Sequence, residues 1–186
     1  PWFLFFVAIE HLGKTELAIS NITRSVSAIF FVIANSFAVT TGSLVSNAIG
    51  ARARNELFPI CHKVLKLGYA VGIPFVVVAL LCNRWIVSFY TDNELLIELA
   101  FAPFVVMLLN YTFALPGYVY LNAVGGTGKT KITFLFQVTT TCVYLVYLYW
   151  LSFCIKASLS LYLTAEYLFV ILLALQSIIH LKSKHY

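Results

Sequence analysis

Two sets of residues in this sequence have types and spacing that could do chemistry. One is the stretch AVGGTGKT, Ala123 to Thr130, which ends in Gly-Lys-Thr like a loop that wraps nucleotide phosphates. The other is a trio of charges, Glu10, Arg24 and Glu166, each set among apolar residues. A phosphate loop reads G-x-x-x-x-G-K-[ST], follows a buried strand and opens a helix, so that its backbone N–H groups point at the phosphates. Here Ala123 stands at the first glycine position, and Gly117 to Asn122 before it belong to a long uncharged apolar run. The glycines therefore read as a turn between two helices, with Lys129 and Lys131 anchoring the second one at a surface. No nucleotide is expected.

The surrounding elements explain why. The 186 residues are 61% hydrophobic, only 10% charged and 16% aromatic, with a mean hydropathy of +0.93. That is too few charges to cover a soluble globule of this size. About 20 apolar residues in helical rise cross a ~30 Å hydrocarbon core. Five stretches meet that length: Leu17 to Val39, Leu67 to Tyr90, Leu99 to Val124, Ile132 to Ile155, and Ala157 to Ile179. A sixth, PWFLFFVAI, is apolar but short and reads as the end of a helix. The expected fold is all-α, a polytopic transmembrane bundle of about five complete spans plus the end of a sixth. Its helices are expected over roughly 1–12, 16–48, 57–90, 94–124, 129–155 and 157–181. The whole chain, 1–186, forms one transmembrane lobe.

The turns between spans are short, so neighbouring helices run antiparallel. Taken by alternate turns, Arg52, Arg54, Lys63, Lys66, Lys129, Lys131, Lys182 and Lys184 fall on one side, and Lys14, Arg84 and Lys156 on the other. The excess of Lys and Arg marks the cytoplasmic side, which places the C-terminus there. The net charge of +5 needs no nucleic acid to explain it. Cys61, Cys82, Cys142 and Cys154 form no C-x-x-C pair, and Cys61-His62 has no second ligand pair at zinc spacing, so no metal site is expected. No Ser, His and Asp set assembles a nucleophile, and no enzyme is expected.

Charges at membrane depth are expensive and tend to mark ion or substrate paths. Glu10 reads either as a cation site or as an interfacial carboxylate, exposed or paired with Arg24. Arg24 lies within a span, with Asn21 one turn before it on the same face. It must face the bundle or snorkel outward. Its role as a carboxylate partner is favoured over substrate contact, because it would repel a cationic substrate. Glu166 lies nearer the midplane and must be protonated, paired or turned to a wet cavity. Asn35, Asn110, Tyr111 and Gln137 add uncharged polar groups within spans. Just beyond Asn110-Tyr111-Thr112, Pro116 removes a helix hydrogen bond and frees backbone carbonyls beside polar side chains. A polar cavity containing Asn110, Tyr111, Gln137 and Glu166 is the expectation. Gly42, Ser46 and Gly50 share one helix face at i, i+4 and i+8, small enough for close helix approach.

Three stretches carry a family resemblance. FFVAIEHLG followed by LAISNITRSV, then TTGSLVSNAIGARARNE, then LNAVGGTGKT resemble the seventh-to-eighth helix junction, the end of the eighth helix and the loop after the tenth helix of the multidrug and toxic compound extrusion (MATE) transporters. The resemblance runs in order and spacing from Phe5 to the C-terminus. It implies a fold of twelve helices in two lobes, of which this chain is the C-terminal lobe, a fragment whose N-terminal lobe is missing. It also implies cation-coupled antiport, with Na⁺ or H⁺ as coupling ion, exporting organic and often cationic compounds across a membrane expected to be the prokaryotic inner membrane. One departure is that no Asp or Glu occurs between Leu99 and Tyr149, so the family's tenth-helix carboxylate has no counterpart here. A lipid-linked oligosaccharide flippase of the same superfamily, or a structural or channel membrane protein, are the alternatives.

Overall fold

The computed structural model describes residues 2–10, 12–155 and 158–183. Every regular element among them is helical. In order they are α1 (Trp2–Glu10), α2 (Lys14–Gly50), α3 (Leu57–Leu81), α4 (Asn83–Ser88), α5 (Glu94–Leu109), α6 (Tyr111–Gly126), α7 (Thr130–Trp150) and α8 (Leu159–Ser183). A 3₁₀ turn, Arg54–Glu56, precedes α3, and a π-helical turn, Leu151–Ile155, follows α7. Five helical stretches are long and apolar enough to cross a membrane: Lys14–Gly50, Arg54–Leu81, Glu94–Gly126, Thr130–Phe153 and Leu159–Ser183. The polytopic all-α bundle expected from hydropathy is the observed architecture. The Lys156 turn and Lys184 lie outside the described residues.

Two expected single helices are each divided. The stretch 57–90 breaks at Cys82, where the Asn83 side chain turns back to donate to the Leu80 carbonyl at 2.6 Å. A local bond of this kind competes with continuation of the helix. The stretch 94–124 breaks at Asn110, whose carbonyl accepts from Phe113 at 3.0 Å and Ala114 at 2.8 Å. Other ends follow ordinary capping chemistry. The Asn93 side chain accepts from Leu95 N–H at 3.0 Å and so starts α5. At the end of α2, Ala53 N–H reaches the Ala48 carbonyl and Arg52 N–H the Ile49 carbonyl. That double bond pattern needs a left-handed residue at Arg52, and its φ is 58°.

Helix α6 occupies the centre, packed on α2, α3 and α8, while α7 lies at the edge and packs chiefly on α8. Large apolar side chains such as Ile29, Phe75, Phe134, Val146 and Ile179 are exposed on the outside. This arrangement suits a hydrocarbon solvent. The expected small-residue stripe is used only in part. Gly42 meets α6, because a Cβ built on Gly126 would stand 2.4 Å from the Gly42 carbonyl oxygen, whereas Ser46 and Gly50 are exposed and a Cβ on Gly50 would meet nothing. The lysine-ended loop behaves as a turn: Gly128 takes φ 84° just after α6 and donates to the Gly125 carbonyl at 2.9 Å.

Candidate functional site

A cavity of about 330 Å³ opens between α2, α5, α6 and α8. Its construction begins with Pro116. Lacking an N–H, this residue leaves the Thr112 carbonyl without its helical donor, and the Tyr69 hydroxyl of α3 donates to that oxygen at 2.7 Å. In return the Tyr111 hydroxyl of α6 donates to the Gly68 carbonyl of α3 at 2.8 Å. The exchange requires Gly72, since a Cβ there would lie 2.1 Å from the Tyr111 hydroxyl oxygen. On the other side of the break, the Tyr167 hydroxyl of α8 donates to the Val106 carbonyl. The α5–α6 junction at Asn110 is thus tied to α3 and α8 through tyrosine hydroxyls. It presents Asn110 and the ring of Tyr111 to the cavity.

The polar lining is asymmetric. Glu166 of α8 is buried, at 8% exposure, and its Oε1 accepts from the Tyr144 hydroxyl of α7 at 3.0 Å. The Asn110 side chain is equally buried, and its Oδ1 has no hydrogen-bond partner among the described residues. Arg24 of α2 stands exposed at the mouth, its guanidinium carbon 5.1 Å from the centre of the Phe6 ring of α1. Aromatic walls complete the cavity: Phe30 lies edge-on to Tyr111 at 6.2 Å, and Phe31 edge-on to Tyr118 at 5.5 Å.

Of the eight residues singled out by sequence, the cavity brings together Arg24, Asn110, Tyr111 and Glu166. Asn21 and Asn35 do not line it, but both are exposed on the same α2 face as Arg24, Ala28 and Phe31. Glu10 is exposed at the last residue of α1 and lies apart. Gln137 is also outside, exposed on α7, which turns only the stripe Thr140, Tyr144 and Leu148 fully inward. Gln137 does not line this cavity, whereas Arg24 does, and α7 packs at the edge of the bundle. Sequence reasoning missed Tyr144 and Tyr118. The one available signal for Tyr144 was its place one turn after Thr140 on a single face of α7.

The sequence profile of the MatE family matches residues 2–151. This chain belongs to the MatE family. Among solved structures, the MatE chain is similar to one described as the crystal structure of MATE in the bent conformation, at 18% identity and a TM-score of 0.82. The alignment covers 95% of this chain and 40% of that one, so the MatE chain spans well under half the length of the structure it matches. No curated protein sequence matches it. Family membership and five apolar spans make the MatE chain an integral membrane protein.

Proposed function

We propose that this chain is the C-terminal lobe of a two-lobed secondary transporter, which exports organic compounds by alternating access in exchange for Na⁺ or H⁺. The observation that carries the proposal is the exposed face of α2. Asn21, Arg24, Ala28, Phe31 and Asn35 recur there at helical spacing within a membrane-length helix, and none of the five is buried. A charged and amidated face of this kind is not suited to lipid. It suits a second lobe or a water-filled path between lobes, and it borders the cavity that holds Glu166. A buried carboxylate beside an uncovered polar face is where occupancy by a cation can differ between two lobe arrangements. The lipid-linked oligosaccharide alternative is weaker, because a pyrophosphate entering the cavity would meet Glu166 as well as Arg24.

The test is efflux by the full-length protein in proteoliposomes. Imposed Na⁺ or H⁺ gradients should accelerate movement of small aromatic amines against their own gradient. Movement indifferent to both gradients would sink the antiport proposal.

The proposed orientation puts the Arg52 turn, the Gly128 turn and the C-terminus in the cytoplasm, from the uneven distribution of Lys and Arg. A prokaryotic inner membrane is the proposed location. Cysteines placed at Asn55 and Gly126 should react with impermeant thiol reagents only from the cytoplasmic side, and one placed at Asn93 only from outside. The opposite labelling pattern would reverse the topology.

A further inference from the structure

We propose that a groove between α4 and α5, at the end of the bundle away from the Arg52 and Gly128 turns, holds the headgroup of a phospholipid with a primary ammonium, a phosphatidylethanolamine. The phosphate lies at Arg84 and the ammonium between Ser88 and Glu94. This site is separate from the cavity that holds Glu166 and does not depend on the transport proposal.

The groove has a volume of about 340 Å³ and is lined by Arg84, Trp85, Ser88, Glu94 and Ile97. Residues 82–93 join two membrane-length stretches, Arg54–Leu81 and Glu94–Gly126, so the groove lies where both leave the hydrocarbon and meet headgroups. Leu81, Trp85 and Phe89 follow at four-residue steps and are 79%, 75% and 83% exposed. They are three of the four most exposed large apolar side chains among the described residues. Steps of about one turn keep them on one side of the chain's helical path, and Trp at this level is an interfacial anchor. Such a concentration of uncovered apolar surface beside a charged groove marks an interaction site. A headgroup free in water would fill the groove and leave these three side chains bare. A phospholipid covers them with its glycerol and acyl chains, and this decides the class of occupant.

The polar lining chooses among headgroups. Arg84 and Glu94 both face the groove, yet no ion pair joins them among the described residues. The guanidinium offers a phosphate two parallel N–H donors. Ser88 comes one turn after Arg84, and its hydroxyl donates to the Trp85 carbonyl at 2.8 Å, which leaves its oxygen free to accept. Glu94, the first residue of α5, supplies only acceptors when ionised. A primary ammonium brings three donors and no acceptor, which suits the carboxylate and the hydroxyl together. A trimethylammonium brings no donor, so a choline headgroup leaves both oxygens unmet. A headgroup with net negative charge, such as phosphatidylglycerol, gains Arg84 and is opposed by Glu94.

The test is native mass spectrometry of the full-length protein in a non-ionic detergent, titrated with dioleoyl phosphatidylethanolamine, phosphatidylcholine or phosphatidylglycerol. The tightest bound lipid should be phosphatidylethanolamine, about tenfold ahead of phosphatidylcholine, the scale of one charge-assisted hydrogen bond. Arg84→Gln should weaken it about tenfold. Glu94→Gln should reverse the order of phosphatidylethanolamine and phosphatidylglycerol, because the groove then carries only the positive charge. Both side chains are exposed, so neither change disturbs the packing of the bundle. Glycerophosphoethanolamine, the same headgroup without acyl chains, should not displace the bound lipid at equal concentration. Phosphatidylcholine binding as tightly as phosphatidylethanolamine, or a lipid preference unchanged in both variants, overturns the inference. Displacement by glycerophosphoethanolamine as effective as by the whole lipid also overturns it, since the site would then take a soluble headgroup and not a lipid.

Discussion

Replacing Glu166 by Gln should reduce gradient-driven efflux by the full-length protein to background while the protein still inserts and folds. The carboxylate is 8% exposed in the first third of a membrane-length helix, and one of its oxygens is held by the Tyr144 hydroxyl at 3.0 Å. A carboxylate in such a place is expensive to keep. An uncharged amide of the same size would fill the space and still accept from Tyr144 through its carbonyl. What Gln cannot do is change charge or neutralise a cation. Two explanations of Glu166 therefore separate cleanly. If it exchanges a coupling ion, Glu166→Gln stops efflux, while Tyr144→Phe, which leaves the carboxylate in place, retains part of it. If it only joins α8 to α7, each change lowers stability by about 1 kcal/mol or less and efflux survives both. Unaltered efflux in the Gln variant, across a range of pH and Na⁺ concentration, would remove Glu166 from the coupling mechanism.

The second large effect is expected at Gly126. Alanine there would put a Cβ 2.4 Å from the backbone oxygen of Gly42 and 3.1 Å from the Cβ of Val45. Neither neighbour is the flexible tip of a side chain, so α2 and α6 must separate. These two helices form the most extensive contact in the bundle, and overpacking at such a seam costs roughly 1–3 kcal/mol. Gly125→Ala is the matched control. Its Cβ would meet only the Thr133 methyl at 3.7 Å, and the gain in helix propensity of up to about 1 kcal/mol makes it neutral or stabilising. Thermal unfolding in detergent should show Gly126→Ala clearly below the parent and Gly125→Ala at or above it. Equal melting of the two variants would mean that the α2–α6 seam tolerates the methyl group.

Hydropathy was enough to define the lipid-facing character and the number of crossings, because ~20 consecutive apolar residues have few stable alternatives to a spanning helix. The turn at Gly128 was legible for an equally local reason, since Gly-rich punctuation after a long apolar run ends a helix whatever surrounds it. Arg24, Asn110, Tyr111 and Glu166 could be recognised as polar residues at membrane depth without any knowledge of their neighbours.

Which of the polar residues meet was decided only by tertiary packing. Tyr144 finds Glu166 across 22 residues of sequence, Tyr111 finds Gly68 across 43, and Tyr167 finds Val106 across 61. Nothing local encodes those pairings. A membrane helix that is apolar on every side has no strong amphipathic stripe to set its rotation about its own axis, as the periodic face of a soluble helix would. Gln137 shows the consequence: its depth in the span could be read from the sequence, but its outward direction follows from the place of α7 at the edge of the bundle. The break at Asn110 lies between these extremes. Pro116 announced a freed carbonyl in the sequence. That the hydroxyl of Tyr69 would answer it, and that Tyr167 would hold the other side, depended on how three helices pack.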